Sequence, residues 1–247
     1  DVLGSRGLGD VYKRQSKKGL WAGQAAAVTV TTKEQFKEVL SHEKVSLIHL
    51  PLVYFPKNEL DRLLHEINQA GKQALISFPL TGKEAFSFQT KEKTGYLVNS
   101  WEMLEYIKTN HLTGNCYGAP DFYATNEEAV HCLKESYGFS DFFTAFDESV
   151  PLKKEGFVTV YGCIPVMETK GCIRRQLQGC HNSPKKGFTI KNPKKDEFLV
   201  VSHCNYCYNT IYTKQPVHKK ESFLKVHFNF VLESGEQVRK VLREWNI

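Results

Sequence analysis

VSLIHLPLVYFPKNELDRLLHEINQAGKQALISFP, residues 45–79, contains a complete structural unit. Its two ends, VSLIHLP and QALISFP, are short apolar runs of the length and composition of strands buried on both faces. Between them Leu60, Leu63, Leu64 and Ile67 recur at i, i+3, i+4 and i+7, the spacing of one helix face. Gly71 stands where a helix needs a C-terminal cap. A strand, a helix and a second strand in this order form a βαβ unit, whose strands are parallel.

The same unit repeats in both directions. Further β-rich runs are AVTVT (27–31), GYLVN (95–99), GNCYGA (114–119), DFFTAF (141–146) and FVTVYG (157–162). Helical segments lie between most of them. Thr31 and Glu34 are spaced as a capping box for a helix burying Phe36, Val39 and Leu40, and Ser100 and Asn126 are N-cap candidates further on. The repeat predicts an α/β protein, an incomplete or divergent (β/α) TIM-like barrel with an irregular Cys-rich insertion near the C-terminus. A doubly wound open sheet is the competitor, but no Gly-rich phosphate fingerprint follows any strand. After Gly162 the rhythm stops, and it returns with a strand in FLKVHFNFVLE (223–233) and a helix in SGEQVRKVLREW (234–245). The expected organisation is a tail over 1–22, barrel-like units over 23–162, a Cys-rich basic insertion over 163–220, and a closing strand and helix over 221–247.

The chain has 247 residues, 41% of them hydrophobic and 24% charged, which is ordinary for a globular protein. It has no apolar run of the ~18 residues a membrane span needs, so the expected location is cytoplasmic, with no membrane partner. Residues 5–15, SRGLGDVYKRQ, resemble sequencing-adapter read-through and have no amphipathic period. The chain is therefore expected to be a fragment of a larger protein. Residues 1–18 hold five Lys/Arg and two Asp, so +3 of the formal +6 belongs to this segment.

Seven cysteines cannot all pair within one chain. Cys116 and Cys132 are expected as buried apolar residues. The spacing Cys172-x7-Cys180-x23-Cys204-x2-Cys207 is different in kind. A CxxC pair turns two thiolates towards one ion, while a seven-residue gap lies outside zinc-ribbon spacing. The four are candidate ligands of a [4Fe–4S] cluster, with zinc as the alternative and Cys163 as a possible substitute ligand; His181 and His203 adjoin them. Because the insertion follows strand 157–161, such a cradle would lie over the C-terminal mouth of a barrel, where sites are built.

Between Lys170 and Lys195 there is no acidic residue but eight cations, including Arg174, Arg175, Lys185, Lys186, Lys194 and Lys195. Tyr206, Tyr208 and Tyr212 follow, so RNA is an expected partner of the insertion. Catalytic signals are few: HExxH, GxSxG, P-loop and EF-hand patterns are absent. Glu148 and Asp121, just after expected strands, are the catalytic candidates.

VTVYGCIPVMETKGCIRR, DEFLVVSHCNYCYNTIYTKQPV and FNFVLESGEQVRKVL together resemble peptidase family U32, the collagenase-like proteases, in particular the C-terminal repeat of its large bacterial members. The resemblance implies a peptidase-like hydrolase domain that binds an iron–sulfur cluster. Other members look like iron–sulfur enzymes that hydroxylate RNA bases or a quinone precursor. That implies two alternatives: an iron–sulfur RNA-modifying hydroxylase, or its accessory repeat, acting on tRNA or rRNA, and a non-catalytic metal-stapled domain docking RNA or an upstream repeat of the same protein. The chain departs from the family pattern at four places. Pro165 stands at the first signature cysteine, Val158-Thr159-Val160 at an expected E-x-F, Asn99 at an expected arginine, and Asp121 at an expected asparagine.

Overall fold

The structure, a computed structural model, describes residues 25–79, 90, 92–146, 156–180, 187–219 and 221–247. The first part alternates β1 (Ala25–Thr29), α1 (Lys33–Leu40), β2 (Val45–Pro51), α2 (Lys57–Gln69) and β3 (Gln73–Ser77). It continues with β4 (Gly95–Val98), α3 (Trp101–Thr109), β5 (Cys116–Gly118), α4 (Glu127–Tyr137), β6 (Phe139–Phe142) and β7 (Val158–Gly162). A second group follows: β8 (Pro165–Thr169), α5 (Ile173–Gln178), β9 (Phe188–Lys191), β10 (Glu197–His203) and β11 (Tyr208–Thr213). The described chain closes with β12 (Val217–His218), β13 (Lys225–Asn229) and α6 (Gly235–Glu244).

The protein is α/β. Nine strands form one curled sheet in the order β12-β7-β13-β1-β2-β3-β4-β5-β6, parallel throughout except at β12. The curl returns β6 to β7. Phe143 and Phe157 form a parallel bridge, and the Phe157 amide donates to the Phe142 carbonyl at 2.7 Å. Lys225 on β13 reaches Asp141 on β6 at 2.6 Å across the same gap.

Strand side chains alternate between the two faces of this sheet. Ala27, Leu47, Leu75, Leu97, Tyr117, Phe143 and Phe157 fill the concave side. The neighbours Val28, Ile48, Leu50, Ile76 and Val98 pack outward with the helices. Both faces are thus apolar, which is why these strands read as continuous hydrophobic runs.

The helices follow their sequence signals closely. Leu60, Leu63, Leu64 and Ile67 are all buried on α2, and Gly71 just beyond it takes φ +68°. Ser100 and Asn126 cap α3 and α4 by accepting from the amides of Met103 and Ala129. On α1 the cap falls one residue later than expected: Thr32 accepts from Gln35 N, while Thr31 Oγ1 donates to the Val231 carbonyl. Cys132, expected buried, is exposed, because α4 turns Val130 and Leu133 inward and leaves Cys132 on the outer side. Cys116 is half-buried.

The insertion is not irregular. Its strands form a second, antiparallel sheet in the order β8-β11-β10-β9. FLVVSH and YNTIYT carry enough β-branched and aromatic residues to pair, and they do so residue by residue from Phe198↔Thr213 to His203↔Tyr208. β12, within the expected insertion, joins the large sheet beside β7.

Candidate functional site at the mouth of the curled sheet

Only Cys163 and Ile164 separate β7 from β8, so the small sheet springs directly from the C-terminal end of a parallel strand. Three hydrogen bonds hold the junction. Ile164 and Thr213 are joined by bonds of 3.0 and 2.9 Å, and Asn229 Nδ2 donates to the Cys163 carbonyl at 3.0 Å. From the β2–α2 connection Tyr54 packs edge-on against His203 at 5.1 Å and meets the Tyr212 hydroxyl at 3.2 Å. The small sheet is thereby set as a lid over the strand ends.

Between lid and strand ends lies a cavity of about 290 Å³. The large sheet contributes Thr29, His49, Ser77, Asn99 and His227, and Asp121 joins from the 3-10 turn after β5. The lid contributes Glu168, His203, Tyr208, Thr210 and Tyr212. Pairing explains this lid set: Glu168, Thr210 and Val201 lie opposite one another across β8, β11 and β10, so they share a face.

The lid carries a short polar network. Thr210 Oγ1 lies 3.2 Å from Glu168 Oε1, to which it donates, and 2.9 Å from His203 Nε2. Burial pushes the Glu168 carboxyl up to about 7; the Thr210 bond opposes this and nearby Asp121 adds to it. Burial also raises Asp121. Both side chains still reach solvent through the cavity mouth, so it is the density of wall atoms, not a seal, that acts, and water tempers the effect. Burial lowers His203 to about 4, keeping it neutral.

The floor carries a longer network. Ser77 Oγ is 2.9 Å from His49 Nε2, and His49 Nδ1 is 3.0 Å from Thr29 Oγ1. Thr29 Oγ1 is also 2.8 Å from His227 Nε2, whose Nδ1 is 2.9 Å from Thr159 Oγ1. Five adjacent strands thus each give one polar side chain. Burial pushes both imidazoles down to about 3, His49 further so by the presence of His227.

The cysteines gather at one end of the lid. β8 pairs with β11 through Thr169↔Asn209, and Asn209 Nδ2 donates to the Gly171 carbonyl at 3.0 Å. This sets Cys172, just past β8, beside Cys207, just before β11. Cys172 caps α5, its sulfur accepting from Arg175 N at 3.4 Å. Cys207 takes a left-handed conformation and its thiol donates to the Cys204 carbonyl at 3.7 Å. Burial raises the Cys204 thiol; Cys172, Cys180 and Cys207 raise it further and Arg174 lowers it, so those three thiols lie within electrostatic reach of Cys204. Among the described residues no three His, Cys, Asp or Glu side chains are gathered closely enough to hold one metal ion. Cys163 lies apart, in an apolar seam with Leu199, Val201 and Val231, where burial pushes its thiol to about 11.

The remaining expected residues are dispersed. Glu148, Lys185, Lys186 and His181 lie outside the described residues. The Arg174 guanidinium lies 5.3 Å from the Phe188 ring centroid, and Arg175 is exposed. Lys194 and Lys195 are exposed at the β9–β10 turn, where Asn192 brackets Asp196, and Lys191 pairs with Glu197 at 3.1 Å. Tyr208 and Tyr212, expected as stacking surfaces for bases, are buried against the cavity instead. His203, which adjoins the candidate ligand Cys204 in the sequence, is a buried wall of the site. Among the described residues no helix is long and apolar enough to cross a membrane. No protein-family model matches the chain, and neither the curated proteins nor the solved structures contain a match to it.

Proposed function

We propose that this chain is a U32-type iron–sulfur enzyme domain, built on a divergent (β/α) barrel, whose reaction site is the cavity beneath the lid. The barrel reading is supported by the bridge and ion pair that return β6 to β7 and β13. The observation that carries the functional reading is the lid itself: Cys172, Cys180 and Cys207 lie within electrostatic reach of Cys204 at one end, and one face lines the cavity with Glu168, His203 and Thr210. The donor set fits a [4Fe–4S] cluster better than zinc. Four thiols suit either ion, but the x7 spacing lies outside that of zinc ribbons. Bound there through four thiolates, a cluster would supply electron transfer. Cys204 also lines a groove that shares Tyr54 and His203 with the cavity, so the thiol end adjoins the site.

The cavity's size favours chemistry on one small group over cleavage within an extended polypeptide. This supports the hydroxylase side of the family, with RNA reaching the lid through exposed Arg175, Lys194 and Lys195. A collagenase-like peptidase is the second reading. It is favoured by the closeness of Asp121 to Glu168, whose carboxyl it helps to raise, both carboxyls being raised by burial and suited to acid–base hydrolysis.

Anaerobic purification of the full chain tests the proposal. About four iron and four sulfide per chain, lost in Cys204→Ser, are expected. One zinc per chain in a colourless protein overturns the cluster, and no bound metal overturns the metal lid altogether. Gelatin cleavage abolished by Glu168→Gln but retained in Cys204→Ser would move the assignment to the peptidase.

A further inference from the structure

The hydrogen-bond chain on the cavity floor has a direction that can be worked out from its ends. Thr159, at the β7 end, is buried, does not line the cavity, and has His227 Nδ1 as its side-chain partner. A buried hydroxyl proton is costly to leave without an acceptor, so this proton goes to His227 Nδ1. Each following group is then fixed in turn. His227 carries its own proton on Nε2 and donates to Thr29 Oγ1. The single Thr29 proton points to His49 Nδ1. His49 therefore carries its proton on Nε2 and donates to Ser77 Oγ. Ser77 accepts from within the protein, and its own proton is left free at a residue that lines the cavity.

We propose that Ser77 is a ligand-binding residue that donates a hydrogen bond to a carbonyl-type oxygen of the bound molecule, and that Thr159, His227, Thr29 and His49 are positioning residues that aim it. Every bond in the chain polarises the next in the same sense. The terminal donor is therefore suited to an oxygen that gains negative charge, the arrangement of an oxyanion site. A neutral carbonyl fits better than a carboxylate or phosphate. Among the described residues lining the cavity there is no Lys or Arg, while Asp121 and Glu168 stand on its walls and repel anions. Those two carboxyls suit N–H groups elsewhere on the same ligand, so an amide-like compound satisfies both walls. Sequestered from water, the imidazoles stay neutral, as the chain requires. The assignment rests on the reading of this cavity as the reaction site.

Histidine-selective 15N NMR of the full chain at pH 7 tests it, since the two neutral tautomers have distinct nitrogen shifts. Both His49 and His227 are expected as Nε2–H tautomers, and Thr29→Ser should preserve them. An Nδ1–H tautomer on either ring reverses the chain and overturns the proposal. Acetamide serves as the carbonyl probe and methylammonium as the control. Acetamide should shift the His49 Nε2 signal in the wild type and lose that effect in Ser77→Ala. No response to acetamide up to its solubility limit, a response that survives Ser77→Ala, or an equal response to methylammonium overturns the donor role. None of these variants touches a thiol, so iron content reports separately on the cluster reading.

Discussion

The two floor histidines should make this protein acid-labile in a calculable way. An unfolded histidine titrates near 6.5, whereas burial holds His49 and His227 at about 3 in the fold. Their folded pKa values are depressed, so the folded state excludes a proton that the unfolded chain takes up, and stability falls as pH drops below about 6.5 and continues to fall towards 3. Between pH 7.0 and 5.5 the loss is about 1.2 kcal/mol for each ring and about 2.5 kcal/mol for the pair. At this chain length that corresponds to a fall in Tm of roughly 5–10 °C. Glu168 acts in the opposite direction over the same interval because its carboxyl is raised to about 7. Its exposure to the cavity discounts that contribution to below about 1 kcal/mol, so a net loss remains. Urea unfolding at the two pH values measures the difference directly. His203, held at about 4, adds a loss of similar size to that of each floor ring, so His227→Gln should remove about 1.2 kcal/mol of the total, since a glutamine in the same position does not titrate. Equal or greater stability at pH 5.5 in the wild type would show that the rings are charged in the fold, and the neutral chain would be refuted.

Three further perturbations address other parts of the molecule. Gly162→Ala should destabilise by about 1 kcal/mol or more and loosen the lid, because φ is +134° there and a Cβ would lie 2.2 Å from the Asn229 carbonyl oxygen; unchanged chemical denaturation would contradict this. Trp245→Ala should cost about 3–5 kcal/mol, since the ring is fully buried against Phe228 and closes the outer core, and a loss under 1 kcal/mol would mean that α6 does not seal the sheet. In Glu168→Gln the stability advantage of the wild type over the variant should shrink as pH rises from 5 to 8, because the raised folded pKa stabilises only the protonated form; an advantage that grows with pH reverses the sign of the Glu168 environment.

The large sheet was legible because its signals are local. Leu60 to Ile67 give a helix period, and Ser100, Asn126 and Gly71 mark ends with little ambiguity. The cap on α1 slipped by one because Thr31 and Thr32 are adjacent, and only the distant Val231 carbonyl decides which hydroxyl is left to cap the helix. The lid was hidden for a related reason. Both of its faces are buried in part, with Val200, Asn209 and Ile211 on one side and His203, Thr210 and Tyr212 on the other, so no simple alternation separates inside from outside. The basic run drew attention to charge, although β9 to β11 are ordinary strands. The floor of the cavity was the least visible part. Thr29, His49, Ser77, Thr159 and His227 are each a single polar residue flanked by two apolar ones, and 198 positions separate Thr29 from His227, which it touches. The recurrence of Thr29, His49 and Ser77 near the C-terminal ends of β1, β2 and β3 was the available signal, and it did not extend to His227 in mid-β13 or Thr159 near the start of β7.

The lid's small size gives a physical reason for thiols and cavity to share one sheet. A four-stranded antiparallel sheet of short strands is a weak structure unless packed or pinned. Here one end is pinned by the β7 junction and by the Tyr54–Tyr212 contact. The opposite end is the β10–β11 turn, which holds Cys204 and Cys207 and is tied to β8 through Asn209 and Gly171. His203 immediately precedes that turn and Tyr208 immediately follows it, and both are cavity walls. A group ligated by Cys172, Cys180, Cys204 and Cys207 would fix the angle between β8 and the hairpin, and with it the separation of Glu168 from Thr210 and His203. Chelation should then alter the 15N signal of His203, through movement of the strands, before it unfolds the large sheet. An unaltered His203 signal in metal-free protein would mean that the thiol end and the cavity are independent.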